Sequence, residues 1–117
     1  MRLGPIAVAN VVGNLFNPPT LTGGVNPPAT STSSYLIIRH IRIVNKTVSA
    51  VTFSGYIGGT GGSAAGTEFL GNAIPIAANS AYDWYGSLRL DIADFFTGVA
   101  SAATSLTIEC EGEIGVV

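Results

Sequence analysis

The stretch LTIECEGEI, residues 106–114, alternates apolar and polar side chains with a period of two. A β-strand turns successive side chains to opposite faces, so this period separates the segment into an apolar face and a polar face. The two faces are, in order, Leu106, Ile108, Cys110 and Ile114, and Thr107, Glu109, Glu111 and Glu113. The pattern predicts a half-buried strand whose outer face is acidic.

Upstream of this strand, residues 35–44 and 51–57 show the same period of two. In the first segment, one face carries Tyr35, Ile37, Ile41 and Ile43, and the opposite face carries His40 and Arg42. Arg39 interrupts the apolar face. Residues 45–49, Asn-Lys-Thr-Val-Ser, have the chemistry of a turn, so the two segments are predicted to form a hairpin.

A second hairpin is predicted from residues 69–77 and 81–92, with a turn at residues 78–80. In its second strand, one face is expected to carry Trp84, Leu88 and Leu90, and the other Tyr85, Arg89 and Asp91. Residues 91–96 are predicted to close one short helical turn, and residues 98–104 to form a connector of small residues. Five glycines in residues 58–66 predict a flexible surface loop.

The fold class that these patterns predict is all-β, a β-sandwich or jelly roll with an extended N-terminal arm. Residues 1–33, rich in Pro, Gly, Ser and Thr, are assigned to the arm, and residues 34–117 to the sandwich body. The apolar residues Leu15, Phe16 and Leu21 are candidate anchors on a neighbouring subunit. In the alternative, the arm folds back over its own domain as an edge strand and loop.

Composition points to assembly rather than to a free monomer. Only 10% of the 117 residues are Asp, Glu, Lys or Arg, and 47% are hydrophobic, whereas an average soluble domain is about 25% charged. A surface short of charge tends to expose apolar patches at which other proteins bind. The formal net charge of −2 predicts that nucleic acid is not a partner.

The sequence predicts neither a membrane segment nor an export signal, because the apolar run at residues 35–44 is interrupted by Arg39, His40 and Arg42. The single Cys110 pairs with no other cysteine of this sequence, which is in keeping with synthesis in a reducing cytoplasm.

Catalytic and metal-binding constellations are not evident in the sequence. One His and one Cys, far apart, do not predict a zinc site or a nucleophile with its base. The three Glu residues of the last strand lie on one face, which is typical of a solvated or interface-facing strand. The sequence therefore predicts a non-enzymatic protein without cofactor or metal.

Opposite charges on two predicted strands indicate an electrostatic contact. His40 and Arg42 give one outer face a basic character, and Glu109 and Glu111 give the other an acidic one. These four residues are candidate contacts within a subunit or between subunits.

Residues 35–47 and 50–59 follow the order strand, Asn-containing turn, strand and Gly-rich loop, and residues 76–84 lead a turn into a strand. Together with the strand at residues 106–114, this pattern resembles small structural proteins of tailed bacteriophages, of the capsid decoration or cement type. The resemblance implies a jelly-roll or β-sandwich homotrimer that binds the major capsid protein on the exterior of the virion.

Two functions are therefore expected. The first is a decoration protein that stabilises an assembled phage head. The alternative is a tail- or fibre-associated receptor-binding module, in which the loop at residues 58–66 and the aromatic residues Tyr82, Trp84 and Tyr85 bind a glycan.

Overall fold

The computed structural model describes residues 2–18 and 34–116, which form eight β-strands. The strands are β1 (Arg2–Val8), β2 (Gly13–Phe16), β3 (Ser34–Asn45), β4 (Val51–Gly58), β5 (Ile74–Ile76), β6 (Ala81–Leu90), β7 (Phe95–Ala100) and β8 (Leu106–Val116). No helix among the described residues is long and apolar enough to span a membrane.

The strands pair in two four-stranded antiparallel sheets. Sheet A has the order β1-β8-β3-β6, and sheet B has the order β2-β7-β4-β5. All the pairings within both sheets are antiparallel. Two packed four-stranded sheets with these strand orders form an eight-stranded jelly roll. The all-β sandwich predicted from the sequence is therefore confirmed.

The described part of the predicted arm belongs to the sandwich. β1 pairs with β8 along sheet A, and β2 pairs with β7 along sheet B. These residues pack on the sandwich instead of extending from it because Leu3, Val8 and Phe16 are almost fully buried in the core. Of the two alternatives, residues 2–16 follow the one in which the chain folds back as edge strands. Residues 19–33 lie outside the described residues.

Neither predicted hairpin forms. β3 and β4 lie in opposite sheets, and so do β5 and β6, so both connections cross the sandwich instead of turning within a sheet. The first connection is held by Asn45, whose side chain is buried and whose Nδ2 donates to the carbonyls of Ser49 and Ile76. Its Oδ1 accepts from the backbone N–H and the hydroxyl of Thr47.

The inward face of β3 changes at a β-bulge. The pairing of β3 with both β6 and β8 shifts register between Ile38 and His40, so Arg39 adds one residue to the strand relative to β8. Leu36 and Ile38 are buried on one side of this bulge, and Ile41 and Ile43 on the other. The sequence prediction that Tyr35 and Ile37 face inward is wrong, because it assumed an unbroken alternation.

Residues 95–100 form a strand where the sequence suggested a helical turn and a connector. β7 lies between β2 and β4 in sheet B. Small residues fit here because the core crowds the strand: a Cβ on Gly98 would lie 2.8 Å from atoms of both Leu15 and Phe53. The small residues taken for a linker therefore make room for larger side chains of neighbouring strands.

The core lies between the sheets and is aliphatic and aromatic. The predicted inward face of β8 is confirmed, since Leu106, Ile108 and Cys110 are buried. On β6, Trp84 is half-buried and meets Phe69 edge to face, with ring centroids 5.0 Å apart. Phe69 packs in the same way on Phe96 and so links the two sheets.

Candidate functional site

The outer face of sheet A, called the charged face below, concentrates the charge of this weakly charged chain. Four of the five Lys and Arg residues and five of the seven Asp and Glu residues lie on it or directly beside it. The basic members are Arg2, Arg39, Arg42 and Arg89, and the acidic members are Asp83, Asp91, Glu109, Glu111 and Glu113. Outside it, the charged residues are Lys46, Glu68 and Asp94.

Ion pairs connect all four strands of the charged face. Arg2 of β1 contacts Glu109 of β8 at 2.7 Å, and Arg39 of β3 contacts Glu113 of β8 at 3.1 Å. Arg89 and Asp91 form a local pair at 2.9 Å. Arg42 of β3 pairs with Asp83 of β6 at 2.9 Å. Each arginine of the charged face therefore has a carboxylate partner within the subunit.

Asp83 is the centre of this network. Its Oδ1 accepts from Arg42 Nε at 2.9 Å and lies 2.8 Å from His40 Nε2, and its Oδ2 accepts from Arg42 at 3.3 Å. These hydrogen bonds, that from Arg42 first and that from His40 second, lower the pKa of the Asp83 carboxyl below its ordinary value. The carboxylate also raises the pKa of the Arg42 guanidinium.

Tyr85 stacks on His40 beside this network. The two rings lie 11° from parallel, with centroids 4.5 Å apart, yet Tyr85 remains 72% exposed. His40 lies opposite both Tyr85 of β6 and Glu111 of β8 in the sheet register. A second aromatic residue on this face, Tyr35, is covered by Arg89, whose guanidinium carbon is 4.2 Å from the ring centroid.

The four charged candidates of the sequence analysis are neighbours on this face. Arg42 lies opposite Glu109 in the sheet register, as His40 lies opposite Glu111. The direct hydrogen bonds differ from the expectation, since both His40 and Arg42 bind Asp83, and Glu109 binds Arg2. Asp83 was not among the candidates, because its partners depend on β6 lying next to β3, a strand order that alternation does not encode.

The apolar candidates have a different role. Leu15 and Phe16 are core residues, 5% and 1% exposed, and therefore do not reach a neighbouring subunit. The cause is a bulge in β2: its pairing with β7 shifts register between Asn14 and Phe16, so the alternation is broken at Leu15 and both side chains turn inward. Leu21 lies outside the described residues.

The proposed glycan platform is not assembled. Trp84 and Tyr82 pack against the core, whereas Tyr85 lies on the charged face of the same strand. The loop at residues 58–66 contacts sheet B instead: Thr97 Oγ1 donates to the Gly62 carbonyl, and Asn14 binds both Thr60 and the Gly61 N–H. The three aromatic residues and the loop therefore form no common surface.

Cys110 matches its prediction as a buried residue. It is 1% exposed, and burial raises the pKa of its thiol to about 12. At neutral pH the side chain is a protonated thiol that packs in the core as a small apolar group.

The outer face of sheet B and one end of the sandwich carry little charge. The residues that face outward from β4 and β7 include Thr52, Tyr56 and Val99. At one end, the connections at residues 9–12, 46–50, 77–80 and 101–105 meet through backbone hydrogen bonds, such as that from Asn79 to Thr47 and that from Lys46 to Ser105. This four-loop end presents Val48 and Val11, which are 87% and 68% exposed.

The described residues contain neither an enclosed cavity nor a group of three or more His, Cys, Asp or Glu side chains able to hold a metal ion. Comparison with known proteins finds no matching family model, no similar curated protein and no similar solved structure.

Proposed function

We propose that this chain is a non-enzymatic structural protein of a virus particle, a decoration or cement protein on the capsid exterior. Its partners in this proposal are the major capsid protein and further copies of itself, as a homotrimer. The jelly roll is compatible with this role, since capsid proteins use that architecture, but lectins and cupins use it as well. The fold alone therefore does not select the function.

The observation that carries the proposal is the uneven distribution of charge. Nine of the twelve charged residues lie on or beside the charged face, where every arginine already has a carboxylate partner within the subunit. Such a face is well suited to solvent. Burial of the outer face of sheet B and the four-loop end against another protein costs little electrostatic free energy, because few charged groups there would lose their hydration.

This distribution of charge predicts how the subunit is oriented on the particle. The four-loop end and the outer face of sheet B contact the capsid or the neighbouring copies, and the charged face points to the medium. Each contact is small, because the described part of the subunit measures only 43 × 28 × 23 Å. Many copies bound together would therefore add up to a stable attachment.

The first test is the copy number of the chain in purified virus particles from the source culture, determined by quantitative mass spectrometry. The proposal expects a simple stoichiometric ratio to the major capsid protein. Absence from particles, or a handful of copies per particle, would contradict it. Light scattering of the isolated chain tests the trimer, whose mass would be three times 11.9 kDa.

Charge substitutions test the orientation. Val48→Asp and Val11→Asp place a carboxylate on the four-loop end at highly exposed positions, where the fold tolerates it. Each is expected to weaken binding to capsids at least tenfold. Glu111→Lys, an equally drastic change on the charged face, is the matched control and leaves binding intact. The reverse pattern would show that the charged face binds the capsid.

A further inference from the structure

We propose that β6 is a self-association surface: two copies of this chain pair β6 with β6, antiparallel, about a two-fold axis at Gly86. The pairing joins the two four-stranded A sheets edge to edge into one continuous sheet. It is a contact beside those of the proposed trimer. It does not depend on the role in a virus particle, and it would also form in a protein with another role.

The first argument is that β6 is the longest outer strand among the described residues and the least protected. The outer strands of the two sheets are β1, β6, β2 and β5. β1 contains Pro5 and a register shift, β5 has three residues with Pro75 at its centre, and β2 has four residues. Short strands, prolines and bulges prevent pairing at the edges of natural sheets. β6 has ten residues and no proline, so the backbone groups on its outer side are able to pair with another strand.

The second argument is that the charges of β6 are placed symmetrically about Gly86. A two-fold axis perpendicular to an antiparallel sheet passes between a residue and its own copy. With the axis at Gly86, residues equally far from it on its two sides lie opposite each other. Asp83 and Arg89 are equally far from it, so Asp83 of each copy lies opposite Arg89 of the other. The contact therefore contains two pairs of opposite charges.

The neighbouring registers lack this complementarity. With the axis at Ser87, Asp83 of one copy would lie opposite Asp91 of the other, which brings like charges together. With the axis at Tyr85, neither Asp83 nor Arg89 would lie opposite a charged residue. Opposite charges across two strands stabilise their pairing and like charges destabilise it, so the charges select the first register.

The apolar side chains of β6 fit the same register. The inner face keeps its alternation along the whole strand, although the pairing with β3 shifts register at its middle. It carries Tyr82, Trp84, Leu88 and Leu90. In the pair, Trp84 lies opposite Leu88 of the other copy, and both are only half-buried in a single copy. The Trp84 ring lies against Gly86, where a Cβ would be 2.6 Å from it, so a glycine at the axis leaves room for both rings.

Tyr85, which a single copy leaves 72% exposed, is covered by the pairing. His40 of β3 stacks on one face of its ring, and β6 is the outer strand, so the other ring face is directed away from β3 and across the edge of the sheet. The residue opposite Tyr85 in the second copy is Ser87, whose small side chain lets the ring extend over the neighbouring strand. The second copy thus buries an aromatic side chain that is otherwise in solvent.

Disulfide cross-linking of the full chain tests the register. Tyr85→Cys in one copy and Ser87→Cys in the other place two thiols on directly opposed residues, whose Cα atoms are about 4.5–5.5 Å apart in an antiparallel pair, within the range of a disulfide. We expect a mixture of these two variants to cross-link about tenfold faster than either variant alone. The native Cys110 does not interfere, because it is buried.

A mixture of Ser87→Cys with Val48→Cys is the matched control, because Val48 is highly exposed but lies at the four-loop end. This mixture should not cross-link. Absence of the cross-link between positions 85 and 87, or an equal rate in the control, would overturn the proposal. The copy number in particles tests the proposed function separately, so either result is able to fail without the other.

A charge reversal tests the complementarity. Arg89→Glu places like charges opposite each other at both ends of the contact and is expected to raise the dissociation constant of the pair about fivefold, measured by sedimentation velocity over a series of concentrations. Arg39→Glu is the matched control, since both side chains are 52% exposed but Arg39 lies on β3, away from the edge. Circular dichroism confirms that each variant is folded. Equal association of the two variants would overturn the proposal.

Discussion

At Gly112 the backbone of β8 passes so close to β3 that no side chain fits. A Cβ built on this residue would overlap the carbonyl oxygen of Ile37. Gly112 lies opposite Ile38, beside the bulge at Arg39, where β3 bends. The glycine thus makes possible the bulge that reverses the inward face of β3.

Substitution of Gly112 tests this close approach. Gly112→Ala is expected to lower the free energy of unfolding by about 2 kcal/mol, because the overlap with Ile37 forces the two strands apart. Chemical denaturation measures the change. Gly58→Ala is the matched control, since Gly58 also lies in a strand but has open space around its Cβ position. Equal stability of the two variants would contradict the steric explanation.

The Asp83 carboxylate makes the stability of sheet A depend on pH. Because Arg42 and His40 lower its pKa in the folded protein, its contribution is present at neutral pH and is lost as the pH falls through that lowered value. Asp83→Asn is expected to cost about 1 kcal/mol at neutral pH. The difference from the unsubstituted protein should shrink as the pH is lowered from about 5 to about 2.

Urea denaturation across this pH range measures the effect. Glu111→Gln removes a carboxyl group that has no ion pair with the described residues, and it is expected to change stability little at any pH. A difference between Asp83→Asn and the unsubstituted protein that stays constant with pH would refute the proposed role of the ionised Asp83.

Among the elements, alternation predicted β8, most of β6 and the outward position of every charged candidate on these strands. These segments are regular, so local sequence determines their faces. The interruption of the apolar face at Arg39 was the local sign of the bulge, but the alternation was continued across it, so Tyr35 and Ile37 were given the wrong face. Alternation also missed β7, whose Thr97 and Gly98 are small for reasons of long-range packing.

Local sequence patterns predicted neither the order of the strands nor the contacts within the candidate site. A tight turn and a crossover between sheets use the same Asn, Ser and Thr residues, as residues 45–49 illustrate. The pairing of His40 with Asp83 and its stacking on Tyr85 follow from β6 lying next to β3. The sequence thus identified His40 and Arg42 as candidates but not their partners.

Asn45 holds the connection that takes the chain from β3 in sheet A to β4 in sheet B. Asn45→Ala removes four hydrogen bonds and leaves the buried carbonyl of Ile76 without this donor. We expect a loss of about 2–3 kcal/mol in the free energy of unfolding, measured by thermal or chemical denaturation. Asn10→Ala, in an exposed connection of the same four-loop end, should be nearly neutral. A nearly neutral Asn45→Ala would show that the crossover does not depend on this side chain.

For the whole molecule, the separation of charged and uncharged surfaces predicts how assembly responds to salt. Contacts through the four-loop end and sheet B involve few ions, so raising the salt concentration from about 0.1 M to about 1 M should leave self-association unchanged or strengthen it. Sedimentation velocity measures this directly. Dissociation at high salt would instead indicate that the charged face forms the contacts.

The position of β8 between β1 and β3 has a consequence for biosynthesis. Sheet A cannot close until residues 106–116 have left the ribosome, because, among the described strands, this late segment alone links β1 to the rest of the sheet. β7, translated just before it, similarly joins β2 to β4 in sheet B. β3 with β6 and β4 with β5 are able to pair earlier in synthesis, but both sheets, and the core between them, are complete only when β7 and β8 have been made.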